Sequence, residues 1–223
     1  MPGRGVVNIA GTQKTYFFHG DKYAQIEWYP GRVQDTVWYG PAPLHHWQTF
    51  KNAGFNRIDA VLPLGPNKAY FFSGDKYQRI HYVADSAEEE AVGDVRSISG
   101  NWESLRTAGF NHVDAVLNVP GTTNETYFFC NNKYIRASWH EGYGGEKILE
   151  GPKYIAQGWG MTGFDHFDMV VPHPTICDHA YIFSEGKYAQ VKVVPGGEHQ
   201  LISDQRPVGN NWWPSLHSIG FDK

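Results

Sequence analysis

The 223-residue sequence predicts an all-β, four-bladed β-propeller, each blade built of four antiparallel strands plus a short terminal helix. An aromatic triplet recurs as Tyr16-Phe17-Phe18, Tyr70-Phe71-Phe72, Tyr127-Phe128-Phe129 and Tyr181-Ile182-Phe183, with first residues 54, 57 and 54 positions apart. A Lys-Tyr pair follows each copy at the same offset: Lys22-Tyr23, Lys76-Tyr77, Lys133-Tyr134 and Lys187-Tyr188. The composition agrees, with 8 Trp, 13 Tyr and 13 Phe against only 3 Met. Broad flat rings suit the widening wedge between radially packed blades, so most of them are assigned to the core.

Each unit opens with a strand read at Val7-Asn8-Ile9-Ala10, Ile58-Asp59-Ala60-Val61, Val113-Asp114-Ala115-Val116 and Phe167-Asp168-Met169-Val170. The triplet and the Lys-Tyr run form a hairpin, turning at Gly20-Asp21, Gly74-Asp75, Asn131-Asn132 and Glu185-Gly186. Turns at Pro30-Gly31, Asp85-Ser86, Gly142 to Gly145 and Pro195 to Gly197 lead to a fourth strand. Trp47-x-x-Phe50, Trp102-x-x-Leu105 and Trp213-x-x-Leu216, each followed by Gly-Phe, have the spacing of a short amphipathic helix. The third copy, Trp159 to Phe164, is three residues shorter and gives only a weak indication of one. The blades therefore run approximately 6–55, 56–110, 111–164 and 165–221 within a single domain, 1–223.

Several function classes fall away. A net charge of −4 without clustered cations gives no footprint for nucleic acid. No stretch approaches eighteen consecutive apolar residues, so no membrane span is expected. The N-terminus lacks the apolar run of a signal peptide, which predicts a cytoplasmic or non-classically stored protein, extracellular if a leader was removed. No nucleophile elbow, H-E-x-x-H or P-loop occurs, and no enzyme is predicted. Gly158 to Gly163 satisfies G-x-G-x-x-G outside any βαβ context and is read as accidental.

Four copies of an Asp-Ala strand, a Tyr-Phe-Phe-x-Gly-Asp-Lys-Tyr hairpin and a Trp helix ending in Gly-Phe resemble hemopexin repeats, most closely over Ala69 to Ile80. A chain holding the propeller alone is similar to the free-standing hemopexin-fold proteins of the plant albumin-2 type. The resemblance implies non-enzymatic binding, with haem or a polyamine as ligand, or carbohydrate in a lectin, or else a storage or structural homodimer or higher oligomer. It also implies a calcium-type cation in the central channel, held by backbone carbonyls of Asn8, Asp59, Asp114 and Asp168; side chains that only fix the strand by local hydrogen bonds are the alternative. Such a hard cation takes oxygen ligands at about 2.3–2.6 Å. Ala10, Val61, Val116 and Val170 offer a second carbonyl ring for sodium or chloride-associated ions.

Period-2 alternation puts Val6, Arg57, His112 and His166 at the channel mouth, where Arg57, His112 and His166 are candidates for holding an anion. His45, His46 and the pair His112/His166 are candidate haem ligands. Trp38 and Trp212 lack equivalents in most repeats and are candidate ligand platforms, whereas Trp28 and Trp139 share a repeat position and are assigned to the core. His173, Cys177, Asp178 and His179 cluster in one loop but match no zinc spacing. Asn124-Glu125-Thr126 reads as a sequon in a surface loop, and Glu88 to Glu90 as a solvated turn. Cys130 and Cys177 belong to opposite ends of the channel and are predicted to be free thiols.

Overall fold

The computed structural model describes residues 3–222, the side chain of Tyr143 excepted. Its first blade holds strands Val6–Asn8, Lys14–His19, Lys22–Trp28 and Asp35–Pro43. The second holds Ala60–Gly65, Lys68–Ser73, Lys76–Tyr82 and an outer strand in two pieces, Glu89–Ala91 and Arg96–Ser97. The third holds Ala115–Asn118, Glu125–Cys130, Lys133–His140 and Tyr143–Tyr154, and the fourth Met169–Pro172, His179–Ser184, Lys187–Lys192 and Gln200–Pro207. Within each blade the strands pair antiparallel in chain order. Every inner strand lies beside the inner strands of both neighbouring blades, which closes the ring around an axis.

The triplets build the interfaces between blades. Their rings fall into four apolar clusters, one per interface, each centred on a Trp: Trp47, Trp102, Trp159 or Trp213. Trp102 lies 5.6 Å from Tyr70 of its own blade and 5.4 Å from Phe128 of the next. Burying such a side chain contributes about 1.5–3 kcal/mol, and each well-placed ring pair roughly 0.5–1.5 kcal/mol more.

The recurrent Gly-Phe has a local cause. Helices Gln48–Ala53 and Glu103–Ala108 end at Gly54 and Gly109 in the left-handed region, φ 70° and 76°. A residue without Cβ is favoured there. The next residue, Phe55 or Phe110, then returns its N–H to the Phe50 or Leu105 carbonyl and buries its ring. In the third blade the helix is broken into Ile155–Gly158 and a 3-10 turn, Gly160–Thr162. Gly158 is required by packing, because a Cβ there would collide with the Tyr134 ring. This accounts for one glycine of the G-x-G-x-x-G string without a nucleotide.

The register of the first blade differs from the sequence expectation. Val6 pairs with Phe17, as Val61 pairs with Phe71, Val116 with Phe128 and Val170 with Ile182. Arg4 therefore corresponds to Asp59, Asp114 and Asp168, and Val6 to the second ring. Asn8 sits four residues further along, and Ala10 is exposed in the turn beyond the strand. The equivalent of Arg57, His112 and His166 falls at residue 2, outside the described residues, so Val6 is not a mouth residue.

Asn8 has another task. Its Nδ2 donates to the Pro172 carbonyl of the fourth blade at 2.7 Å, and its Oδ1 accepts from Thr15 Oγ1, which accepts from Trp28 Nε1. Asn118, Thr126, Trp139 and the Pro63 carbonyl repeat the arrangement between the third and second blades. Thr126 is thus fully buried, and the sequon opens a strand rather than lying in a surface loop.

Candidate functional site

The axis narrows to a space of about 10 Å³ enclosed by Arg4, Asp59 and Asp114 and by the ring Val6, Val61, Val116 and Val170, room for a single water-sized occupant. Phe18 N–H donates to the Gly5 carbonyl, so alternation turns the peptide groups of Val6 away from the second strand and toward the axis. The matched register gives Val61, Val116 and Val170 the same orientation.

Above this space the channel widens into a mouth of about 550 Å³. The three aspartates line it, and each uses one oxygen to cap a hairpin turn in its own blade: Asp59 Oδ2 accepts from Gly74 N, Asp114 Oδ2 from Asn131 N and Asp168 Oδ2 from Glu185 N, at 2.6–2.8 Å. In the first blade, which has Arg4 instead, the corresponding Gly20 N–H turns to the Gly3 carbonyl. Arg4 Nη1 reaches Asp168 at 3.2 Å, and Arg57 Nε meets Asp59 Oδ1 at 2.9 Å.

Both mouth histidines are engaged on two sides. His112 Nδ1 lies 2.7 Å from Asn111 Oδ1 and its Nε2 3.4 Å from Asp114 Oδ1; His166 Nδ1 lies 2.7 Å from Asp165 and its Nε2 3.8 Å from Asp168. Hydrogen bonding to Asp114, then to Cys130, pushes the His112 imidazole up to about 10. Sequence reading missed Cys130 as a neighbour. Its Sγ lies 3.7 Å from either nitrogen of His112, a proximity readable from its place at the end of the second strand, facing the start of the inner one.

A second set of cavities lies between blades and follows from one repeat position. Across the second and third strands the first residue of each triplet faces Gln25, Arg79, Arg136 or Gln190. Arg79 reaches into the third blade to Glu141 at 2.8 Å, where Lys68 also ends. Arg136 pairs with Glu125, and the His199 ring stacks on Trp159 at 3.9 Å, filling the third interface. With the shorter, neutral glutamine the other two interfaces stay open. One groove of about 570 Å³ lies between the first and second blades, lined by Tyr16, Gln25, Trp38, Tyr39, Tyr82, Asp85 and Glu88 among others. Its counterpart of about 380 Å³, between the fourth and first blades, has Tyr29, Arg32, Tyr181, Gln190, Arg206 and Trp212.

The two unmatched tryptophans thus line one groove each. Trp38 is 55% exposed, with Lys14 Nζ 3.6 Å from its ring centre; Trp212 is half-buried, with the Arg206 guanidinium at 4.3 Å. Gln25 is buried, and its Oε1 has no hydrogen-bond donor among the described residues. His46 borders the first groove, but His45 Nε2 is tied to the Phe55 carbonyl at 2.9 Å. Glu89 is no solvated tip: it receives the N–H groups of Gln48 and Thr49 and the Thr49 hydroxyl. His173 Nδ1 accepts from the loop N–H groups of Thr175 and Ile176, and Cys177 is an exposed thiol. Among the described residues the cluster of metal-ligating type is His112, Asp114 and Cys130, not the His173–His179 loop. Both cysteines are free.

No known family profile matches the chain. Albumin-2 of Lathyrus sativus is 26% identical to it over 96% of this chain and 97% of that protein. Among solved structures, a hemopexin fold protein from cow pea superimposes with a TM-score of 0.85 at 21% identity, covering 96% of both chains. The chain is a hemopexin-fold propeller resembling albumin-2. A plant lectin from Cicer arietinum, described as having two metal binding sites, shares this hemopexin fold at a TM-score of 0.85 and 22% identity, again over 96% of each chain. Among the described residues, no helix of this hemopexin-fold chain is long and apolar enough to cross a membrane.

Proposed function

We propose that this protein is a non-enzymatic binder of small ligands, that its main site is the groove between the first and second blades, and that its ligand is an organic polyammonium ion of the polyamine class. The observation that carries this reading is Lys14: its ammonium already lies 3.6 Å from the Trp38 ring centre and 2.9 Å from Asp85 Oδ2, two residues that line that groove. A cation over an indole face gains about 0.5–2 kcal/mol, depending on how far it is desolvated. A ligand ammonium would find the same chemistry in Tyr39, Glu88 and the undonated Gln25 oxygen. Haem is less well served, because His45 Nε2 is tied to the Phe55 carbonyl.

The channel belongs to the same reading as a structural element. An axial calcium-type cation coordinated by carbonyls of the Arg4, Asp59, Asp114 and Asp168 ring would pin the four inner strands together, in keeping with the two metal sites of the chickpea lectin. Hard cations accept such oxygen cages with waters completing the shell.

Calorimetric titration with spermine tests the ligand. Saturable binding that weakens at least about tenfold in Trp38→Ala is expected; absence of binding, or an unchanged constant in the variant, overturns it. A carbohydrate reading is favoured by one feature, the second aromatic groove with Trp212, since agglutination needs more than one site per particle. Two grooves or a homodimer would supply that, and a glycan array combined with light scattering separates the cases.

A further inference from the structure

The mouth of the third blade differs from the other three in a way that neither the ligand grooves nor the axial cation uses. His112, Asp114 and Cys130 bring one nitrogen, one carboxylate oxygen and one thiol sulfur within 4.8 Å of one another. Nε2 of His112 lies 3.7 Å from Cys130 Sγ and 3.4 Å from Asp114 Oδ1. Ligands bound at about 2.0–2.3 Å to one tetrahedral ion stand about 3.3–3.6 Å apart, so the two separations from Nε2 already fit, and the thiol and carboxylate, within 4.8 Å of each other, need to close by about an ångström at most.

The ligand atoms are also held from behind. Asn131 N–H donates to Asp114 Oδ2 at 2.6 Å, which leaves Oδ1 to face the imidazole. Asn111 Oδ1, 2.7 Å from His112 Nδ1, accepts the proton on that nitrogen and orients the ring, so that Nε2, which faces Asp114 Oδ1, is the nitrogen a metal would take in place of its proton. Outer partners of this kind orient metal-binding histidines and carboxylates. His112 and Asp114 are each about one-third exposed to the wide mouth, which provides an approach and space for a solvent ligand.

The fourth blade serves as an internal comparison. His166, Asp168 and the outer partner Asp165 repeat the pattern, but Ser184 stands where Cys130 does, in the same register with the following Lys. Asp168 is moreover engaged by Arg4. The second blade has Arg57 and Ser73 at these positions. Among the described residues, a soft ligand and a carboxylate that no arginine engages coincide in the third blade.

We propose that His112 Nε2, Asp114 Oδ1 and Cys130 Sγ bind a zinc-type divalent cation, with a water from the mouth as fourth ligand. This site is distinct from an axial calcium, which uses backbone carbonyls and no sulfur. Binding leaves Cys130 as a thiolate and His112 as a neutral imidazole, and the Sγ proton and the Nε2 proton both go to solvent.

The test uses the full chain carrying Cys177→Ser, freed of metal by a chelator and titrated with Co²⁺. One equivalent should produce thiolate-to-cobalt charge-transfer absorption in the near ultraviolet, bleached by Zn²⁺ but not by excess Ca²⁺. Adding Cys130→Ser, which copies the fourth blade, should abolish the band. His112→Asn, a change at a solvent-facing side chain, should weaken cobalt binding by more than about tenfold. Lack of a band at one equivalent, a band that survives Cys130→Ser, or an unchanged isotherm in His112→Asn overturns the proposal.

Discussion

Arg4 Nη1 donates to Asp168 Oδ2 at 3.2 Å, across the opening of the channel. Three blades carry an aspartate at this repeat position, and the first carries a guanidinium that neutralises one of them. A fixed positive charge beside an axial cation opposes it by an amount that depends on local screening. Replacing Arg4 by Asn should therefore raise the affinity for Ca²⁺ at least about tenfold, or ~1.4 kcal/mol. Competition against a calcium-sensitive chelator dye measures this, and an unchanged affinity would mean that the cation does not sit at this ring.

Asn8 provides the complementary case. Its amide joins the first blade to the fourth through the Pro172 carbonyl and supports Thr15, whose hydroxyl accepts from the Trp28 indole. Asn8→Ala should lower stability by roughly 1–3 kcal/mol, because Thr15 is buried and would lose its acceptor. Ca²⁺ affinity should not change. Urea denaturation beside the dye competition reads both, and a variant with normal stability but weaker calcium binding would restore Asn8 to the ring.

These two residues mark the limit of what the sequence reveals. The triplets and helix tryptophans are legible because every blade solves the same packing problem with the same rings. The inner strand of the first blade is not, since Val7-Asn8-Ile9-Ala10 imitates the pattern at the wrong register. Spacing contained the correction: Asp59, Asp114 and Asp168 precede their triplets by 11, 13 and 13 positions, Asn8 by 8 and Arg4 by 12. The grooves were hidden for another reason. Whether an interface is open or filled depends on Gln25 and Gln190 against Arg79 and Arg136, and on what each arginine meets in space.

Lys14 occupies chemistry that the proposed ligand would use, so its removal should help that ligand. Lys14→Met keeps the aliphatic stem over Trp38 and deletes the ammonium bound to Asp85. Spermine affinity is expected to rise about threefold to tenfold, which corresponds to one exposed cation–π contact and one freed carboxylate. Calorimetry decides it; weaker binding would show that Lys14 assists the ligand rather than competing with it.

His199 sets a pH dependence at the third interface. Its ring stacks on Trp159 and its Nδ1 accepts from Val194 N–H at 3.0 Å, a geometry that needs the neutral imidazole. Burial lowers its pKa from the ordinary 6.5 to about 4; the Glu150 charge opposes this and that of Arg136 adds to it. Between these values the unfolded chain binds the proton and the folded one does not, so stability rises with pH. The contribution is present in full above about 6.5 and is lost as pH falls toward 4. After solvent screening the loss should be on the order of 1–2 kcal/mol. Thermal unfolding midpoints measured across that range should fall on the acid side, and less steeply in His199→Phe, which keeps the stacking and has no titratable nitrogen. Parallel curves for the two proteins would assign the acid sensitivity to another group.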